Sequence, residues 1–392
     1  MGKIFKIIFV TALTLMVLLI LIAAFIFWYA FYDVSGLDLY KDEPISEIIP
    51  CGKRVYLITE DGHGYVMGGY DPDSSRMYLN SEFHKNEKLG IVVSPVRFTD
   101  EKIKQLFPYS DRVLFITDSN NLYLAIDENS EYLCENIIYA DHATWRADEI
   151  IYAVDTSNNL YSISKQRESV LLCNNVEIVK AYRDRVFVLC TNGDLCELQK
   201  TNSNEYILSE PLYKNVADFD VLDTSTRHDG EKLVYDDATA INTPLFNVLT
   251  ENGELYVKGF YNLLCCSRGL GESPEPVEYK EWSLISENVS SFDLSYMGTV
   301  FVRKDTSCAY YGLVKVSQVY NSYEVVLEEL FNDGAVSACT SKDNCIYVKT
   351  NENKYYMWGS WATISFVYYS ENDALLQGNY NIVSGQPFVL EP

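Results

Sequence analysis

Short apolar runs of four or five residues, each bounded by Asn, Asp, Gly or Ser, fill most of this chain. Val55-Tyr56-Leu57-Ile58, Val113-Leu114-Phe115-Ile116, Ile150-Ile151-Tyr152-Ala153-Val154, Val186-Phe187-Val188-Leu189 and Ile346-Tyr347-Val348 are examples. β-Branched and aromatic residues fit a pleated surface, and the bounding residues favour turns, so each run predicts a strand. Long helical periodicity is scarce after residue 47, and the predicted fold class is all-β.

The strands recur as one hairpin unit. Its clearest copy is Asn247-Val248-Leu249-Thr250-Glu251-Asn252-Gly253-Glu254-Leu255-Tyr256-Val257-Lys258-Gly259, and similar copies surround Tyr65, Tyr123, Tyr161, Cys196, Tyr310 and Tyr356. Glu60-Asp61-Gly62, Ser119-Asn120-Asn121, Ser157-Asn158-Asn159, Thr191-Asn192-Gly193, Glu251-Asn252-Gly253 and Asn351-Glu352-Asn353 place Gly or Asn where a tight hairpin needs positive φ. Lys304-Asp305-Thr306-Ser307 is the degenerate copy. The steps between the marker residues are 58, 38, 35, 60, 54 and 46 residues, which suits a blade of four short strands with loops of variable length. Asn175-Val176-Glu177-Ile178, Asn215-Val216-Ala217-Asp218-Phe219 and Asn288-Val289-Ser290-Ser291-Phe292 stand before hairpins and predict the innermost strand of each blade. A seven-bladed β-propeller accounts for these repeats; an ordinary sandwich or two small β domains does not explain a hairpin phrase repeated seven times.

The N-terminus has another pattern. Ile7 to Tyr32 is a run of 26 residues without a charge. As a helix it would be about 39 Å long, enough to cross a hydrocarbon core of roughly 30 Å. Lys3 and Lys6 precede it, Trp28, Tyr29 and Tyr32 cluster at its far end, and Asp33, Asp38, Asp42 and Glu43 follow. That asymmetry predicts the N-terminus on the cytoplasmic side of the cell membrane and the rest outside. A cleaved signal peptide would have a shorter apolar run and a small-residue site, so a retained single-pass anchor is expected. The organisation read from the sequence is a short cytoplasmic stretch over 1–6, a transmembrane helix over 7–32, a linker over 33–47 and the propeller over 48–392.

Composition narrows the function. The chain has 31 basic and 55 acidic residues, a net charge of -24, which repels phosphate backbones and argues against nucleic-acid partners. The ten cysteines show no CxxC spacing, which argues against a zinc site. Buried thiols are one reading; pairing of Cys190 with Cys196, or of Cys339 with Cys345, is the other. His63, His84, His142 and His228 are widely spaced and read as surface or loop residues. No phosphate loop, GxSxG elbow or EF-hand loop is present, so no catalytic, cofactor or metal residue is assigned. Asp71-Pro72-Asp73 and Asp236-Asp237 read as turns. The polar stretch from Leu222 to Asn242 interrupts a blade, and its Arg227, His228, Asp229, Asp236 and Asp237 form the candidate contact loop.

One unit carries a family likeness. Glu254-Leu255-Tyr256-Val257-Lys258-Gly259-Phe260-Tyr261-Asn262, followed by Arg268-Gly269-Leu270-Gly271 and Pro274-Glu275-Pro276-Val277, resembles the repeat of the regulator of chromosome condensation family. Tyr355-Tyr356-Met357-Trp358-Gly359-Ser360 matches its Trp-Gly part, and Tyr65-Val66-Met67-Gly68 keeps the glycine. Most other copies lack the Leu-Gly stretch, and the tryptophan survives only at Trp358. The resemblance implies a seven-bladed ring, and among its branches this chain is similar to divergent bacterial, membrane-anchored propellers. The nucleotide exchange and chromatin binding of the best-known member do not carry over to an outward-facing acidic domain without a basic tail. The expected function is therefore non-enzymatic binding of a protein or cell-envelope ligand. The alternatives are an envelope polysaccharide lyase or hydrolase on the same scaffold, and a structural subunit of a membrane complex.

Overall fold

In the computed structural model the described residues are 44–51, 54–68, 96–109, 112–126, 129–145, 148–182, 185–201, 205–222, 244–261, 277–295, 297–315, 323–340, 346–358 and 388–390. They form seven four-stranded antiparallel sheets, each built from consecutive strands. The first blade holds β1 (Ile45–Cys51), β2 (Arg54–Thr59), β3 (Gly64–Gly68) and β4 (Val96–Arg97). The second holds β5 (Ile103–Tyr109), β6 (Arg112–Thr117), β7 (Leu122–Ile126) and β8 (Asn129–Cys134), and the third β9 (Ile137–Trp145), β10 (Asp148–Asp155), β11 (Asn159–Ile163) and β12 (Ser169–Asn174). Next come β13 (Val176–Tyr182), β14 (Arg185–Cys190), β15 (Leu195–Lys200) and β16 (Tyr206–Leu208) in the fourth blade, and β17 (Val216–Leu222), β18 (Leu245–Thr250), β19 (Leu255–Tyr261) and β20 (Val277–Ser286) in the fifth. The sixth holds β21 (Val289–Leu294), β22 (Gly298–Arg303), β23 (Cys308–Lys315) and β24 (Tyr323–Phe331), and the seventh β25 (Ala335–Thr340), β26 (Ile346–Thr350), β27 (Tyr355–Trp358) and β28 (Phe388–Leu390).

The first strand of each blade touches the first strand of the next, and β25 returns to β1, so the seven sheets close into a ring with these strands innermost. The expected propeller is the observed fold. The seven marker residues of the sequence pattern all lie on third strands, and β13, β17 and β21 are innermost as their shared phrase predicts. β1 takes Ile45 to Glu47 from the stretch read as linker. The run Ile7 to Tyr32 lies outside the described residues, among which no helix is long and apolar enough to cross a membrane.

Each hairpin between second and third strands contains one residue with positive φ: Gly62, Asn120, Asn158, Gly193, Gly253, Thr306 and Asn353. Its N–H donates to the carbonyl three residues earlier, as in Gly253 to Thr250 at 2.9 Å and Thr306 to Arg303 at 2.9 Å. The degenerate copy therefore folds like the others, with a β-branched residue at φ 67. Left-handed backbone costs such a residue roughly 1–2 kcal/mol, and asparagine less. Thr306 Oγ1 accepts the Gly334 N–H at 2.9 Å, which recovers part of that cost. Thr306→Asn is expected to stabilise the protein by about 0.5 kcal/mol, read as a raised denaturant midpoint at unchanged slope.

Every first strand also carries a β-bulge between its first and third residues, for example Val216/Asp218 opposite Thr250 and Leu249. The extra residue re-aims the rest of the strand. Apolar clusters straddle the blade boundaries: Phe98 and Phe115 join the first and second blades, and Val179 with Val154 the third and fourth. Phe187 with Phe246 joins the fourth and fifth, and Leu249 with Phe301 the fifth and sixth.

Candidate functional site

The bulge sets which side chains converge at the ring axis. Counting from the first residue of each innermost strand, the third and fifth positions hold Glu47 on β1, Gln105 on β5, Tyr139 and Asp141 on β9, Lys180 on β13, Asp218 and Asp220 on β17, Asp293 on β21 and Cys339 on β25. Charges from non-adjacent blades feel one another here. Asp293 in the sixth blade is coupled to Lys180 in the fourth, and Asp141 in the third to Asp220 in the fifth. Lys180 is the one cation of this described set, set against five carboxylates.

Fifth-position side chains reach across to the next blade. Asp141 Oδ2 accepts the Ala181 N–H at 2.7 Å, Lys180 Nζ pairs with Asp220 Oδ1 at 3.2 Å, and Asp293 Oδ2 accepts the Thr340 N–H at 2.6 Å. Cys339 Sγ contacts the Ile48 carbonyl at 2.9 Å. Lys180 also lies 5.9 Å from the Tyr139 ring centroid, in cation–π range. Axial side chains thus bond blade to blade at four of the seven junctions.

Protein atoms crowd these groups even where solvent reaches them along the axis. Burial pushes the Asp293 carboxyl up to about 7, with the Asp220 charge adding to it. Asp218 is pushed up to about 6, again chiefly by burial, and Asp141 and Glu47 are raised for the same reason. Burial alone would lower Lys180, but Asp220, Tyr139, Asp141 and Asp218 together lift it well above the usual lysine value.

These shifts have a sign. A carboxyl raised in the folded state holds a proton that the unfolded chain has lost, so its contribution to stability is full below the unfolded pKa of about 4 and vanishes as pH rises through the folded value. Between pH 4 and about 7 the axis therefore favours folding as the solution is acidified. The thermal midpoint is expected to rise as pH falls from 8 to 6, and Asp293→Asn with Asp218→Asn to flatten that slope.

Arg227, His228, Asp229, Asp236 and Asp237 lie outside the described residues, as do Asp71 and Asp73. What the structure gives is their point of attachment: Leu222 and Leu245, paired at the ends of β17 and β18. Strand direction puts first-to-second and third-to-fourth connections on one face of the ring. The long connections 69–95, 223–243, 262–276 and 359–387 all join strand ends on that face. The tight hairpins occupy the other. His142, read as a surface or loop residue, is instead buried on β9. Cys134, Cys173, Cys190, Cys196, Cys308 and Cys339 are free thiols. Cys190 and Cys196 share one face of the β14–β15 hairpin at a diagonal offset, since Val188 pairs with Cys196.

The axial belt escaped the sequence reading, although a signal was present: Lys180, Asp220 and Asp293 each stand five residues after the asparagine of their phrase. No protein-family model matches this sequence, and no curated protein matches it. Solved structures do share its architecture. Human WBSCR16 is 13% identical over 80% of this chain and 89% of its own, at a TM-score of 0.50. Prp20p of Saccharomyces cerevisiae, a structure described with its binding to Gsp1p and histones, is 10% identical over 79% and 84%, at 0.49. PorZ, a surface component of the type-IX secretion system of Porphyromonas gingivalis, is 9% identical over 82% of this chain and 37% of its own, at 0.45. The chain is thus a seven-bladed β-propeller, a fold that it shares with human WBSCR16.

Proposed function

We propose that this protein is a membrane-tethered, outward-facing propeller that binds a protein or cell-envelope ligand without catalysing a reaction. The observation that carries the reading is the division of labour in the ring. The fifth-position polar groups Asp141, Lys180, Asp293 and Cys339 join blades at the axis, whereas the strand ends that the long connections join lie together on one face. Asp293 shows this best: one carboxylate oxygen accepts the Leu294 N–H at 3.1 Å and the other the Thr340 N–H at 2.6 Å. The 26-residue uncharged run Ile7 to Tyr32 supports the tether, with the short N-terminus cytoplasmic and the propeller extracytoplasmic.

A polysaccharide hydrolase uses a carboxyl raised by its surroundings as its acid, and Asp293, raised by burial and by the charge of Asp220, is the group that would serve it. Its two backbone bonds favour the structural role. Deletion of 223–243 with a short Gly-Ser bridge, sparing the buried Leu222, separates these readings. Capture of ligand from envelope extracts is expected to fall at least tenfold in the deletion and to persist in Asp293→Asn. Undiminished capture by the deletion would reject the loop's part in binding.

A further inference from the structure

Six of the seven blade junctions share one backbone bond. The positive-φ residue of a hairpin offers its carbonyl to the N–H that opens the next blade: Ile103 to Gly62 at 2.8 Å, Ile137 to Asn120 at 2.8 Å and Val176 to Asn158 at 2.9 Å. Val216 to Gly193 at 2.9 Å, Val289 to Gly253 at 2.8 Å and Ala335 to Thr306 at 2.9 Å complete the set. Each bond joins blades that are consecutive in the chain.

The seventh junction joins the two ends of the propeller and is built differently. All strands of the first blade come from residues 45–97 and all strands of the seventh from residues 335–390, so no strand is exchanged between them. Among the described residues, the bond expected from Ile45 N–H to the Asn353 carbonyl is missing. Side chains flanking the last hairpin take its place. Lys349 Nζ donates to the Ile45 carbonyl at 2.9 Å and the Ser46 carbonyl at 3.2 Å, and Tyr355 Oη donates to the Ile45 carbonyl at 2.8 Å. Cys339 Sγ meets the Ile48 carbonyl at 2.9 Å. The ammonium also lies 5.7 Å from the Tyr355 ring centroid, so the two donors brace each other on one acceptor.

We infer that this seam is the gate of the ring: the first and seventh blades separate there in a sub-global opening while the other six junctions stay closed. Two features produce that order. The contacts across the seam connect residues about 300 positions apart, so closing it orders the longest loop in the fold. Its clasp also depends on side-chain rotamers that can be lost one at a time, whereas the other junctions are continuous with the hairpin backbone. Regions of lower local stability are where proteins open and where moving parts are drawn from.

Native-state hydrogen exchange of the full chain in detergent micelles, read by mass spectrometry, tests the gate. Peptides covering β1 and β25 are expected to exchange at least tenfold faster than peptides covering β13 and β17. In Lys349→Met with Tyr355→Phe that difference grows a further tenfold, with β13 and β17 unchanged. Equal protection of all four strands in the unmodified protein would overturn the inference without any variant, as would a uniform acceleration in the double variant. Tyr355→Phe alone provides the same comparison should the double variant fail to fold.

Discussion

Replacing Lys180 with methionine is expected to lower the stability of the propeller by roughly 1–2 kcal/mol, between the cost of breaking an exposed ion pair and that of breaking a fully buried one, because the Lys180 and Asp220 side chains are 25% and 20% exposed. The loss comes less from the 3.2 Å contact with Asp220 than from what remains. Asp141, Asp218, Asp220 and Asp293 would face one another across the axis without a cation among the described neighbours. Urea denaturation of the variant reads the effect. The double change Lys180→Met with Asp220→Asn should recover a large part of it, because the orphaned charge is removed as well. A Lys180→Met midpoint equal to the parent's would show that the belt carries no net stabilisation.

The second large effect concerns Gly259, the glycine of the Leu-Tyr-Val-Lys-Gly phrase. Its φ is +104, and a Cβ there would stand 2.4 Å from the Pro244 carbonyl oxygen and 2.8 Å from Leu245 Cα. Both obstacles are backbone at the start of β18, so neither can rotate away. Gly259→Ala therefore forces either a displacement of β18 or a rebuilt bulge in β19, whose pairing with β20 already shifts between Val257 and Gly259. A loss of about 3 kcal/mol is expected, combining a strained backbone with overpacking. A fall in the thermal midpoint of several degrees reads it; an unchanged midpoint would mean the fifth blade accommodates the methyl group without strain. Gly298→Ala is expected to cost a comparable amount, because a Cβ there would meet the Tyr310 ring at 2.4 Å and that ring is itself fully buried.

Most of the architecture was legible because each blade repeats one local signal. A second strand, a turn with Gly or Asn in left-handed conformation and an aromatic third strand lie within about a dozen residues, where turn chemistry dictates structure. Even Thr306, whose residue type hides the pattern, is forced into it by its neighbours. Outermost strands were harder to see, since β4 has two residues and β16 and β28 three each, with no shared turn before them. Their pairing comes from the blade already formed.

The axial belt was obscured for another reason. Glu47, Asp141, Lys180, Asp220 and Asp293 are far apart in the chain, and a lone charge in a strand reads as solvent-facing. Only the bulge common to all seven first strands brings the same two positions to the axis. His142 misled in the same way: its polarity suggests a surface, while its alternation with Asp141 on β9 turns it into the protein. The face carrying the long connections could be deduced only once strand order was known.

The reading of this protein as a ring that recognises its ligand on one face is tested most directly by cross-linking mass spectrometry of the full chain in intact cells. Ligand cross-links are expected at the strand ends that frame the long connections, near Leu222, Leu245, Tyr261, Val277 and Trp358. Cross-links concentrated on the opposite face, around the hairpins at Asn120, Gly193 and Gly253, would contradict it.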